Sequence, residues 1–337
     1  MALDLGNIFF TSQLLTETLF ALLLLFSIYQ LALFLQRERT RYGVLAGIFL
    51  GAATLCRPVA SYLPVFMIVA FLVRYKANVS LGLKRFAIVV ICFLLVIVPW
   101  VIRNYYFFGV PQLTGIQGYN LVFWNTPYLR ARLEGITWLE AQREIRREVE
   151  NELEKQALNP LEAATYYQDK AVKEMLQHPY DYAVVHFGGI LSLLFNSNVR
   201  LALGPFGMAG EETSAFAVLR ARGMAGAFKA FRELAERFPK LARSEQLVLT
   251  LVLLDIGILV IIYLAALYSL WLNMRDGNWI AIVSLGTGVI YLALVAGPIG
   301  DVRFRMPMMP FIHLSAAYGL SKLLLDKFHD AKEPSDA

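Results

Sequence analysis

Apolar residues fall in seven runs along the chain, at about 14–36, 42–56, 58–73, 86–102, 246–272, 278–297 and 305–323. A helix needs roughly 20 such residues to cross a bilayer, so most of these runs read as spans while the second and third are short. On length alone, 43–73 could be one helix. Charge decides for two. With two spans, Arg37, Arg39 and Arg41 share a side with Arg74, Lys76, Lys84 and Arg85, with Arg275, and with Lys322 and Lys327. With one span the second cluster changes sides and the asymmetry of basic loops is lost. The pattern predicts spans within 1–102 (about four), an outside segment 103–245, three spans within 246–323 and a disordered cytoplasmic tail at 324–337. The N-terminus is then outside and the C-terminus in the cytoplasm. No cleavable signal is read, because the N-terminus lacks a basic region and the first run is long enough to span.

The stretch 103–245 has a different period. Trp138, Ala141, Ile145, Val149 and Leu153 recur at helical spacing among charges, which predicts an amphipathic helix. "NPLEAATYYQDKAVKEMLQHP" predicts a second, ended by Pro179. "DYAVVHFGGILSLLF" is apolar but short, and is expected to lie in the membrane interface or dip into it. A fourth segment sets Phe216, Leu219, Phe228, Phe231 and Leu234 against a basic face, as a helix on anionic lipid would, or a lid over an external cavity. Within the second run, Gly43, Gly47 and Gly51 recur every fourth residue and leave a strip of bare backbone for another helix.

Composition agrees. The chain is 58% hydrophobic and 17% charged, against about a quarter charged for soluble domains. The net charge of +5 is an orientation signal here, and no nucleic-acid partner is expected. Cys56 and Cys92 lie in apolar runs and imply no disulfide framework; the four histidines lack metal-ligand spacing. No metal or cofactor is expected. Met306, Met308 and Met309 read as packing residues rather than copper ligands. The fold class is all-α: a polytopic membrane helical bundle with an external amphipathic helical segment.

The remaining chemistry lies at helix ends. Arg57, Arg103, Arg303 and Arg305 all fall on the side that is otherwise poor in cations. Each alone reads as a side chain snorkelling to headgroups. Together they suggest a phosphate site at the membrane surface, since the planar guanidinium fork suits a pair of phosphate oxygens. In extended backbone, residues 303 and 305 would point one way and Phe304 the other, into the membrane. Glu17 opens the first run at the same edge, as a helix N-terminal charge or a weak catalytic candidate. Asp301 sits between Pro298 and Arg303 and can pair with an arginine. Asp255 lies in mid-run, where a charge costs roughly 2.5–3.5 kcal/mol on insertion scales, so it should be shielded from lipid and partnered.

The ordered stretches "LLTETLFALLLLF", "GIFLGAATLCRPVASYLPV", "VPWVIRNYYFFGVPQLTGIQGYNLVFWNTP" and "DVRFRMPMMPF" resemble multi-pass glycosyltransferases of the GT-C fold. The nearest likeness is to the protein O-mannosyltransferase and aminoarabinose transferase group, glycosyltransferase family 39. The resemblance implies a polyprenyl-phosphate-linked sugar as donor, membrane lipid as surroundings, and inverting transfer on the outer face of a bacterial cytoplasmic membrane. It implies Arg303 and Arg305 on the donor phosphate with Arg57 and Arg103 near, and Tyr119, Asn120, Asp301 and Asp255 as pocket candidates. The acceptor is not readable. Enzymes of this group carry an acidic motif in their first external loop, which has no counterpart here; Asp4 is not in that context. The chain is therefore expected to be a C-terminal portion, with a second chain or a missing N-terminal part supplying the catalytic aspartate. The alternative is a non-catalytic membrane subunit or carrier that binds polyprenyl phosphate.

Overall fold

The computed structural model describes residues 16–154, 156–197 and 242–330, with a few positions between 229 and 240. Among these residues the regular elements are helical, with no strand. The helices are α1 (Thr16–Arg37), α2 (Thr40–Cys56), α3 (Leu63–Arg74), α4 (Val79–Phe108), α5 (Ile116–Asn120), α6 (Thr126–Glu134), α7 (Trp138–Leu153), α8 (Pro160–Gln177), α9 (Pro179–Phe195), α10 (Arg243–Arg275), α11 (Trp279–Val295) and α12 (Met309–Asp330). Three of them, α1, α4 and α10, are long and apolar enough to cross a membrane. Shorter apolar helices cover Thr40–Cys56, Pro58–Arg74 and Ala281–Val295. The chain is thus an all-α polytopic bundle. The basic amphipathic segment around Phe216–Leu234 lies outside the described residues. α12 continues to Asp330, past residue 323 where the apolar run ends.

The reversal expected between the second and third runs is present. α2 ends at Cys56, and Arg57 takes an extended conformation (φ −143°, ψ 114°) before a 3-10 turn at Pro58–Tyr62. Proline at the first position of that turn removes a donor and stops α2 from continuing. Arg57 lies beside Thr16 and Glu17 at the start of α1, while Arg74 lies back beside Glu38 at its end. α3 therefore runs opposite to α2, and one end of the bundle gathers Arg37, Arg41, Arg74 and Arg85 while the other gathers Glu17 and Arg57. α11 is 17 residues long, which at 1.5 Å per residue is about 26 Å, close to the roughly 30 Å hydrocarbon core.

The glycine strip of α2 is used twice. A Cβ on Gly47 would meet the Val89 carbonyl and Cys92 of α4, and one on Gly51 would meet Val96. Gly43 instead faces the Phe34 ring of α1. Backbone against backbone leaves no room for a side chain, and overpacking costs typically about 1–3 kcal/mol. Gly47→Val is expected to lose about that much, read as a lower unfolding temperature in detergent. Gly257→Ala, where nothing lies within 4 Å, is expected to leave that temperature unchanged or slightly raise it.

Helices α6–α8 form a separate helical layer around Val122, Phe123, Leu129, Ile145, Val149, Ala171 and Met175. Their starts are written in sequence: Thr137 with Glu140, and Asn159 with Glu162, are reciprocal capping boxes. Arg130 joins the layer, reaching Glu148 at 2.5 Å and Glu174 at 3.0 Å. Burial opposes its charge, but the hydrogen bonds to Glu174 and Glu148 outweigh that and hold its pKa above the ordinary arginine value. Pro179 both follows α8 and opens α9. α9 does not lie free on lipid: its Gly189 packs against the backbone of Gly297 and Pro298, in the turn after α11.

Candidate functional site

At the end of the bundle opposite the basic loops, a cavity of about 140 Å3 opens between α1, α11 and the turns at 57–59 and 299–307. Glu17, Arg57, Asn120, Asn125 and Phe304 line it. Glu17 is almost fully buried and pairs with Arg57 at 2.5 Å; Arg57 also donates to Thr16 Oγ1 at 3.3 Å. Tyr291 fixes the floor, its hydroxyl donating to the Val59 carbonyl and its ring meeting Phe66 edge-on.

Phe304 is shared by two cations. The Arg57 guanidinium lies 5.7 Å from its ring centroid and that of Arg303 lies 4.9 Å away. Ring faces attract guanidinium groups without consuming their N–H donors, but Arg57 spends Nη1 on Glu17 and Thr16, so an oxyanion would have to compete with Glu17 for it. Arg303 is half exposed and 3.6 Å from Asp301. Asp301 caps the turn that carries it, its carboxylate accepting the Arg303 N–H at 2.9 Å.

The stretch expected to be extended is instead a 3-10 turn, Val302–Arg305. With about three residues per turn, positions 303 and 305 do not point the same way. Phe304 accordingly lines the cavity rather than entering the membrane. Arg305 turns inward, is 1% exposed, and donates through Nη1 to the carbonyls of Leu193, Leu194 and Asn196 at 3.3, 2.8 and 3.0 Å. These are the orphan acceptors at the end of α9, so Arg305 acts as that helix's C-terminal cap. Ser192 Oγ adds a bond to the Gly300 carbonyl at 3.1 Å. Gly300 itself has φ +56° and approaches the Gly189 carbonyl so closely that a Cβ would collide, which is why glycine is needed at both positions. α9 thus clamps the turn that presents Arg303 and Phe304.

The other candidates disperse. Arg103 donates to Asn104 at 2.9 Å and sits among Trp100, Phe107 and Phe108, away from the cavity-lining residues. Tyr119 packs against Phe123 of the helical layer with the rings tilted at 50°. Asp255 accepts a hydrogen bond from Ser197 Oγ at 2.7 Å, so it has the partner that its depth in α10 demands. Among the described residues no cluster of three metal-ligating side chains occurs.

Sequence reasoning missed Asn125. It closes a single π turn, Leu121–Asn125, and its buried Oδ1 finds no hydrogen-bond partner among the described residues. Buried polar atoms are almost always paired, and π turns gather at functional positions. The signal available beforehand was only the dense polar spacing of "YNLVFWNTP".

Residues 3–102, under a third of the chain, match the family described as dolichyl-phosphate-mannose-protein mannosyltransferase. The match supports a GT-C glycosyltransferase-like fold. It includes the stretches around Glu17 and Arg57 and stops before Arg303. Neither a search of curated proteins nor a search of solved structures returns a match.

Proposed function

We propose that the protein is a membrane glycosyltransferase, or the lipid-binding part of one, whose cavity at Glu17, Arg57 and Phe304 receives the phosphate of a polyprenyl-linked sugar on the outer face of the membrane. The observation that carries the reading is the meeting of Arg57 and Arg303 over one ring, beside a buried carboxylate, at the end of the bundle away from the basic loops. Apolar helices flank the cavity, as a prenyl tail requires. Arg305 is a positioning residue in this scheme: it holds the turn, and the phosphate falls to Arg57 and Arg303. Asn120 and Asn125 stand where a sugar hydroxyl would meet the wall.

Donor phosphate and Glu17 compete for one guanidinium. When the phosphate takes Arg57, the Glu17 carboxylate is released. It can then accept the proton of an acceptor hydroxyl while that oxygen attacks the anomeric carbon from the face opposite the phosphate. The bond from the anomeric carbon to the phosphate oxygen breaks, and the electron pair leaves with the polyprenyl phosphate, held by the two arginines. This inverts the anomeric centre. Neither metal nor redox cofactor enters the scheme.

Glu17→Gln separates the two roles open to this carboxylate. It keeps the shape, removes the competing charge and removes the base. Sugar transfer from a polyprenyl-phosphate donor in membranes containing the protein is expected to fall by at least roughly a hundredfold, while a short-chain polyprenyl phosphate binds as well as before or better. Undiminished transfer would remove Glu17 from the chemistry. Activity that is absent in wild type but appears on adding a second chain would support the non-catalytic subunit reading.

A further inference from the structure

A second cavity, of about 640 Å3, lies at the basic end of the bundle. Its wall is apolar and comes from three helices: Leu35 of α1, Ala70, Leu72 and Val73 of α3, and Val283 of α11. Arg74, Lys76 and Trp279 stand at its rim. We infer that this cavity binds an anionic phospholipid of the bilayer, with its phosphate against Lys76 and Arg74 and an acyl chain along Leu72, Val73 and Trp279.

The position selects a lipid over a soluble ligand. α11 runs from the cavity at Glu17 to this one, so the two cavities sit at opposite ends of a helix close to bilayer thickness in length. Leu72, Val73 and Trp279 are exposed although apolar, which in such helices means exposed to acyl chains. Tryptophan at a helix end is suited to the headgroup level.

Charge then selects the headgroup. Arg74 is held in place by Nε on the Leu35 carbonyl at 3.1 Å and by Glu38 at 3.1 Å. Glu38 is also held by Arg85 at 3.0 Å, so this carboxylate is already neutralised twice over. Lys76 makes no ion pair or hydrogen bond among the described residues and stands exposed at the rim. Each basic residue beside an anionic leaflet strengthens attachment several-fold. A zwitterionic lipid gains the apolar contact but not this. Arg37 and Arg85 close by add to the same field.

The test is native mass spectrometry of the full chain released from nanodiscs holding equal phosphatidylglycerol and phosphatidylcholine. One phosphatidylglycerol is expected to be retained in preference. Lys76→Gln should lower the retained ratio of phosphatidylglycerol to phosphatidylcholine roughly fivefold. Trp279→Ala should lower retention of both lipids, and Lys170→Gln, on α8 in the helical layer and outside both cavities, should leave the ratio unchanged. Millimolar inorganic phosphate should not displace the lipid. Equal retention of the two lipids, an unchanged ratio in Lys76→Gln, or full displacement by phosphate would each overturn the assignment. Because the two cavities share no lining residue, failure here leaves the proposal for the Glu17 cavity standing.

Discussion

Replacing Arg305 with methionine is expected to destabilise the protein by about 3–5 kcal/mol. The side chain is buried, and one nitrogen serves three carbonyls of the segment 193–196. Methionine fills the volume but donates nothing, so the Leu193 and Asn196 carbonyls lose this donor while Leu194 keeps only the Tyr263 hydroxyl. Each buried, unsatisfied polar group costs about 1–3 kcal/mol. Arg305→Lys should recover part of the loss, because an ammonium supplies donors but not the planar fork. Arg303→Met, half exposed, should cost under about 0.5 kcal/mol. Thermal unfolding in detergent ranks the three. Comparable losses for the Arg303 and Arg305 variants would mean that Arg305 does not cap α9. A stable Arg305→Met that loses only lipid binding would restore it to the phosphate site.

That distinction could not be drawn from sequence. The helices were legible, because apolar runs of bilayer length leave little alternative and because Thr137, Asn159 and Pro179 mark starts that depend on neighbours within four residues. The reversal at Arg57–Pro58 was legible through charge, since only two spans keep the basic loops together. The close approach at Gly47 and Gly51 was legible through spacing. Arg303 and Arg305 were read as twins because extended backbone puts alternate residues on one face. Asp301 caps a 3-10 turn instead, and the tighter period drives Arg305 inward. The carbonyls that receive it lie more than a hundred residues earlier, a pairing no local pattern announces. Arg57 and Glu17 come together across the bundle, while Arg103 finds aromatic neighbours on its own helix. Asn125 depended on a π turn, which has no sequence period of its own.

Arg57→Ala is the second change with a large expected effect, and it bears on the central claim. Arg57 pairs with Glu17, whose side chain is only 4% exposed. Removing the cation alone strands a buried charge, which typically costs about 3–5 kcal/mol. The double variant Glu17→Gln with Arg57→Ala removes both charges and should regain most of that stability. Phosphate binding should not return, because the guanidinium is still missing. A charge-assisted hydrogen bond is worth about 1.5–3 kcal/mol, equivalent to roughly tenfold to a hundredfold in affinity. Arg57→Lys should recover little of it. The decisive measurement is the affinity of a short-chain polyprenyl phosphate for the full chain in detergent, for wild type, Arg57→Ala, the double variant and Arg275→Ala, the last at the opposite end of the bundle. The account predicts losses of at least tenfold in Arg57→Ala and in the stability-restored double variant, with Arg275→Ala binding as wild type. Equal affinity across all four proteins would contradict it.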